Sequence, residues 1–276
     1  MNRIGKLLGS GGTSDVYEWE EDSVIKIYKP HVDDNVINNE RFIGELLNKF
    51  SLDIPKLIGS VCIKDRQALI YERVQGEIFG QLLLLGVYDK RMAYQYARMH
   101  YEIHKKTISV LPSLHEMLKK RILTLRDKLE DKRIGMLEGK LVPLLNLLEH
   151  IPLKQNLCHG DFQPLNIIGN DNEYRVIDWN GACSGNPILD VAWSYMTLLS
   201  PVVDHLLSES VAKVFREFNE DYLHNYCELS GIHKQQIIDC LPIVAARRLY
   251  DNVFNGNETS KLELDWLYRL VEREVL

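Results

Sequence analysis

No apolar run in this 276-residue chain approaches the roughly 20 residues a helix needs to span a bilayer; the densest, LLLLG at 82–86, is far too short. Basic residues are not in excess either. There are 33 Lys and Arg against 39 Asp and Glu, a formal net charge of −6. That balance lacks the positive footprint that sequence-independent nucleic-acid binding requires. Cysteine is scarce: the five, at 62, 158, 183, 227 and 240, are odd in number and show no CxxC spacing. This argues against a zinc site or a disulfide framework and for reduced thiols. The opening MNRIGKLLGSGG has no apolar segment of signal-peptide length. Together these features predict a soluble cytoplasmic protein with neither nucleic acid nor membrane as partner.

What the chain does have is ordinary globular material, 45% hydrophobic and 26% charged, enough for one large domain or two lobes. Residues 2–28 read as three short strands, RIGKLLG, DVYEWE and SVIKIY, separated by turn chemistry at GSGGTS and EEDS. Residues 33–50 have helical spacing, with Val36, Ile37, Phe42, Ile43, Leu46, Leu47 and Phe50 in one stripe and Asp33 or Asp34 as cap. IPKLIGSVCIKD and RQALIYERV add two strands. After Gly76 the pattern turns helical: GQLLLLG, MAYQYARMHYEIHKK, PSLHEMLKKRILTLRDKLED and MLEGKLVPLLNLLEH. A hairpin turning at GNDNE interrupts it, and the chain is helical again from about 188. The expected class is α+β and two-lobed: a small antiparallel-sheet lobe over 1–75 and a larger helical lobe over 76–276.

Three constellations carry chemistry. The turn GSGGTSDVY at 9–17 lies between two strands, where glycines allow backbone N–H groups to approach phosphates; Walker A spacing and Rossmann context are both missing. Lys26 sits inside an apolar strand, and the following helix offers Glu40 as its partner, with Glu45 as competitor. A lysine fixed by a glutamate is a fixed point charge for phosphate oxygens. The segment CHGDFQPLNIIGNDNEYRVIDWNGACSGNPILD, 158–190, holds Asp161, Asn166, Asp178 and Asp190 among apolar residues. Buried carboxylates are costly unless a cation or a donor network satisfies them. Asp161 on a tight loop can accept a hydroxyl proton, while Asn166 and Asp178 offer hard oxygens suited to Mg²⁺.

HGDFQPLNII followed by VIDWNGACSGNPILDVAWS resembles the aminoglycoside phosphotransferase and choline kinase-like family, whose fold is that of protein kinases. The resemblance extends to the glycine hairpin, VIKIYKP, NNE at 38–40 and LIYERVQG at 69–76. It implies Asp161 as catalytic base, Asn166 and Asp178 as magnesium ligands, and Lys26 fixed by Glu40 on ATP phosphates. Gly11, Gly12 and Ser14 would lie in the phosphate-covering turn, and the backbone at Glu72 and Val74 would meet the adenine edge. Asp190 would anchor the HGD loop and His159 support it. Asp178-Trp179-Asn180 stands where protein kinases have Asp-Phe-Gly, and no APE-type activation segment follows, which disfavours a protein substrate. The expected activity is ATP- and Mg²⁺-dependent phosphorylation of a small-molecule hydroxyl, of aminoglycoside, choline, homoserine or sugar type. A nucleotide-binding pseudokinase is the rival class. Glu217, Glu220, Asp221, Asp251, Glu258, Glu263 and Asp265 would suit an amine-bearing acceptor. His100 and His104 have zinc-ligand spacing but lack the glutamate of HExxH, and read as packing residues.

Overall fold

The computed structural model describes residues 4–63, 65–130, 134–170, 173–254 and 260–272. Strands β1 (Leu7–Ser10), β2 (Ser14–Glu18) and β3 (Ser23–Tyr28) are followed by helix α1 (Asp34–Leu47), then β4 (Leu57–Ile63) and β5 (Arg66–Glu72). They form an antiparallel five-stranded sheet in the order β1-β2-β3-β5-β4. Next come β6 (Glu77–Ile78), α2 (Phe79–Leu84), α3 (Lys90–His104), α4 (Leu114–Arg126), α5 (Leu141–His150) and β7 (Asn156–Cys158). A hairpin, β8 (Ile167–Asn170) and β9 (Glu173–Val176), precedes β10 (Cys183–Gly185) and α6 (Pro187–Leu198). The chain ends in α7 (Pro201–Leu206), α8 (Glu209–Ser230), α9 (Lys234–Ile238), α10 (Leu241–Phe254) and α11 (Lys261–Val271). Contacts divide it into two units, 1–81 with 164–181, and 82–163 with 182–276.

In the first unit the period of two decides which side chains meet α1. Ile25 and Ile27 of β3 pack with Ala68 on one face, against Tyr17, Val61 and Ile70. Tyr28 and Leu69 face the other way and pack with Ile37 of α1 and Leu57. Lys26 alternates with Ile25 and Ile27, so it shares the α1-facing side. Asp33 caps α1 by accepting from the Asn35 N–H at 2.7 Å. The buried stripe of α1 is Ile37, Glu40, Ile43 and Leu47. Each of its three aliphatic members contributes about 2 kcal/mol of burial. Val36 and Phe42, expected inside, are 43% and 46% exposed, because α1 turns a narrower face to the sheet than the sequence stripe suggests.

The β8–β9 hairpin belongs to this unit through β6, which pairs with β8. Gly76 makes the approach possible: its φ is +123°, and a Cβ there would lie 2.2 Å from the Gly169 backbone. Phe79 then packs edge-on to Tyr174 with ring centroids 5.3 Å apart. Leu165 lies in a 3₁₀ turn, Pro164–Asn166, rather than in the hairpin strand, and the turn residues 171–172 lie outside the described residues.

Among its described residues the second unit is helical apart from a ribbon the sequence did not suggest, β7 with β10, in which Cys158 faces Cys183. The single helix expected over MLEGKLVPLLNLLEH is broken at Gly139, whose φ is +76°. Asn186 caps α6 by accepting from the Ile188 N–H, and Pro187 occupies its first turn. Among the described residues no helix is long and apolar enough to cross a membrane.

Candidate active site

Glu40 is the centre of the charged cluster in the first unit. It is only 4% exposed, so its carboxylate needs donors. Lys26 supplies two contacts, Nζ to Oε1 at 2.7 Å and to Oε2 at 2.9 Å. The Tyr71 hydroxyl donates to Oε1 at 3.1 Å and the Asn180 amide to Oε2 at 2.6 Å. Glu45, the competing partner in the sequence, is exposed on α1. Lys26 Nζ also lies 3.5 Å from Asp178 Oδ1. Burial and the nearby Glu40 push the Tyr28 and Tyr71 phenols far above their ordinary range, so both remain neutral.

Asn166 and Asp178 stand at the base of the hairpin. The Ile177 N–H donates to the Asn166 carbonyl at 2.9 Å, continuing the ladder beyond Ile167 and Val176. Asp178 follows directly with φ +61°, a left-handed conformation uncommon outside glycine. Its side chain is 48% exposed while Asn166 is 8% exposed. An exposed carboxylate in a sparsely populated conformation, held to a lysine only by a loose ion pair at 3.5 Å, fits a cation ligand.

The glycine turn joins β1 to β2. Gly11 N–H donates to the Ser14 carbonyl at 2.9 Å, and Lys29 Nζ donates to the Gly11 carbonyl at 2.5 Å. A Cβ on Gly12 would meet nothing within 4 Å, and one on Gly11 would make only an ordinary contact. Neither glycine has a positive φ. The fold itself therefore does not require glycine at 11 or 12, whereas close approach of a ligand to the backbone would. Ser14 is buried at the start of β2. The Glu72 N–H is already bonded to the Lys56 carbonyl at 3.0 Å, so what Glu72 retains for a ligand is on its carbonyl side; Val74 follows in the connecting segment.

In the second unit Asp161 follows β7 and Gly160, whose φ is +79°. Trp193 of α6 donates its indole N–H to Oδ1 at 3.1 Å, and Gln163 donates its amide to Oδ2 at 3.0 Å. Arg247 stacks 3.7 Å from the Trp193 ring and donates to the Gly160 carbonyl at 2.6 Å. The His159 ring nitrogen Nδ1 accepts from the Asp161 N–H at 3.2 Å. Trp193, Gln163 and Arg247 were not anticipated from the sequence. Trp193 stands three residues after Asp190, on the same face of a helix, and Arg247 interrupts the apolar run LPIVAA; both signals were available.

Asp190 holds the loop from below. It accepts from the backbone N–H of His159 at 2.8 Å and of Gly160 at 2.9 Å. It also accepts from Nε2 of His100 at 3.1 Å and of His104 at 3.2 Å, while Tyr222 and Tyr226 hydroxyls meet the opposite ring nitrogens. Burial drives the His100 pKa down to about 3, so the ring is neutral and donates from Nε2. Burial alone would raise the Asp190 pKa, but the two histidine hydrogen bonds outweigh it and hold the carboxyl well below its usual range. His100, His104 and Asp190 have the separation of a metal-ligand triad. Their lone pairs and protons are already matched, which makes the cluster a hydrogen-bonded lock.

The helix acids are mostly engaged by this chain's own donors. Glu220 bonds Lys234 and Tyr195, Asp221 bonds Tyr88, and Glu217 pairs with Lys213. Asp251 lies 3.3 Å from Arg121 and 3.8 Å from Arg247, and Glu263 lies 3.3 Å from Arg248. Arg121 of α4 thus turns to Asp251 of α10, while Asp265 on α11 is exposed. Glu258 lies outside the described residues.

The model of a family described as "Phosphotransferase enzyme family" matches residues 5–234. The chain belongs to this phosphotransferase family. No curated protein matches it in sequence. Among solved structures it resembles the streptomycin–ATP complex of the aminoglycoside phosphotransferase APH(2")-IIa, at 19% identity and TM-score 0.61, covering 99% of this chain and 93% of that one. The ADP-bound aminoglycoside phosphotransferase APH(2'')-Ib is similar at 19% identity and TM-score 0.59, over 98% and 93%. A choline/ethanolamine kinase family protein from Mesorhizobium loti is similar at 12% identity and TM-score 0.64, over 97% and 88%. At such identities the likeness speaks for the fold, which is protein kinase-like: an antiparallel N-terminal sheet and a helical C-terminal part. This phosphotransferase matches the class expected from HGDFQPLN and VIDWN.

Proposed function

We propose that the chain is a kinase of a small hydroxyl-bearing molecule, using ATP and Mg²⁺. The observation that carries this reading is the Lys26–Glu40 pair at 2.7 Å with Asp178 3.5 Å from the same lysine. It provides a fixed cation for phosphate oxygens beside an exposed carboxylate for a metal. Asn166 and Asp178 would hold Mg²⁺, which when bound neutralises charge on the polyphosphate. Gly11 and Gly12 would leave room for phosphates under the β1–β2 turn, with Ser14 at its end, and the backbone of Glu72 and Val74 would meet the adenine edge.

Asp161 would orient the acceptor hydroxyl and take its proton. Trp193 and Gln163 hold the two carboxylate oxygens from opposite partners, which limits rotation of the group without neutralising it. Asp190 fixes the loop through two backbone N–H groups, and Arg247 fixes it through the Gly160 carbonyl. Positioning and charge placement would dominate, because phosphoryl transfer asks little covalent chemistry of the protein.

No lysine, glutamate or metal-ligand position is missing, so turnover is favoured over a nucleotide-binding scaffold. A coupled assay of ATP consumption against aminoglycosides, macrolides, choline, homoserine and sugars tests the reading. Acceptor-dependent ADP release that stops in EDTA is expected. Failure of Mg²⁺–ATP to bind at all would overturn it.

A further inference from the structure

We propose that Asn180 is a positioning residue: its side-chain amide ties the turn bearing Asp178 to Glu40, so that the fold itself assembles the lysine and the metal-side carboxylate. The proposal deepens the kinase reading and rests on it. Asn180 Nδ2 donates to Glu40 Oε2 at 2.6 Å, and Oδ1 is buried without any hydrogen-bond partner. The opposite amide orientation would set a carbonyl against a carboxylate, so the orientation is forced. An asparagine serving only local structure would satisfy both ends. Here one end is given up to gain a charge-assisted bond at the other.

The turn carries a second local cost, the +61° φ of Asp178. Two fastenings oppose it. Trp179 donates its indole N–H to the Val176 carbonyl at 3.0 Å, holding the turn to the end of β9. Asn180 holds the other side to α1. Without Asn180 the turn loses its hydrogen bond to α1, and Asp178 is left in its ion pair with Lys26 at 3.5 Å. Tightening of that loose ion pair to the 2.7 Å of the Lys26–Glu40 bond would withdraw the carboxylate from a cation and the lysine from phosphate. Glu40 thus serves two clients, Lys26 and the Asp178 turn, and Asn180 is the second connection. No modification of the chain is needed to bring these groups together.

The experiment combines hydrogen exchange of ligand-free protein with calorimetry of Mg²⁺–ADP binding. Asn180→Ala should speed exchange of the 177–182 amides by about tenfold, as expected for loss of one hydrogen bond to a charged group. It should weaken Mg²⁺–ADP binding about as much, while the thermal midpoint stays close to wild type because a buried unsatisfied carbonyl is removed together with the bond. Asn180→Asp, which sets two carboxylates together, should be worse on both readouts. Combining it with Glu40→Gln re-creates a donor–acceptor pair in reverse and should bring exchange back toward wild type. Unchanged exchange in Asn180→Ala overturns the proposal. Faster exchange with unchanged Mg²⁺–ADP binding also overturns it, reducing the contact to local structure. If the wild type fails to bind Mg²⁺–ADP, the kinase reading fails and the positioning role with it, whereas the exchange result still reports whether the tie exists.

Discussion

Replacing Glu40 by alanine removes the acceptor shared by Lys26, Tyr71 and Asn180. Breaking a buried ion pair by deleting one partner costs about 3–5 kcal/mol when the survivor has no compensation. Lys26 does have some: its side chain is 14% exposed and Asp178 lies 3.5 Å away. About 2–3 kcal/mol of destabilisation is therefore expected, visible as a lower urea midpoint. Activity should fall further than stability explains, because the released lysine turns toward Asp178. A ten- to hundredfold loss of turnover, about 1.4–2.7 kcal/mol of barrier, is expected at saturating ATP and acceptor. Glu45→Ala is the control, exposed on the same helix, and should change stability by less than about 0.5 kcal/mol. An active, stable Glu40→Ala, or a Glu45→Ala with the Lys26→Ala phenotype, would refute the reasoning.

Trp193→Phe deletes the indole N–H to Asp161 along with part of the buried ring system and keeps a smaller ring beneath Arg247; kcat should fall about tenfold with KM for ATP unchanged, and equal kcat would remove Trp193 from the positioning set. The neutral His100 gives an acid-sensitive fold. Its pKa falls from 6.5 to about 3 on folding, so below pH 6.5 the unfolded chain takes up a proton that the native one refuses. Its stabilising contribution is full above that pH and is lost as pH falls toward 3, amounting to about 2 kcal/mol between pH 7 and 5. Urea unfolding of His100→Asn should show a shallower pH dependence than wild type over that interval, and an identical slope would contradict the assignment.

Much of this was legible in the sequence because it is local. The alternation in SVIKIY sets Lys26 on the side opposite Ile25 and Ile27, and HGD, Asn166 and the hairpin spacing bring Asn166 to the strand end beside Ile177. Tyr71 and Asn180 around Glu40 were not legible, since β5, α1 and the Asp178 turn meet only in three dimensions. The β7–β10 ribbon is three residues per strand, too short for periodicity to register. That Lys234 reaches Glu220 and Arg121 reaches Asp251 was not legible either, because charge patterning does not reveal which basic residues of other segments meet the acids of α8 and α10. The union of 164–181 with the N-terminal sheet depends on β6 and on two glycines whose closeness, 76 to 169, no local pattern encodes.

The central claim is that Asp161 takes part in phosphoryl transfer while the Lys26–Glu40–Asp178 cluster holds nucleotide. Asp161→Asn is nearly isosteric and cannot take the proton. With the best acceptor from the panel, phosphoryl transfer should drop by roughly two to four orders of magnitude while Mg²⁺–ADP binding by calorimetry stays at the wild-type value. Transfer at the wild-type rate with normal nucleotide binding would contradict the account.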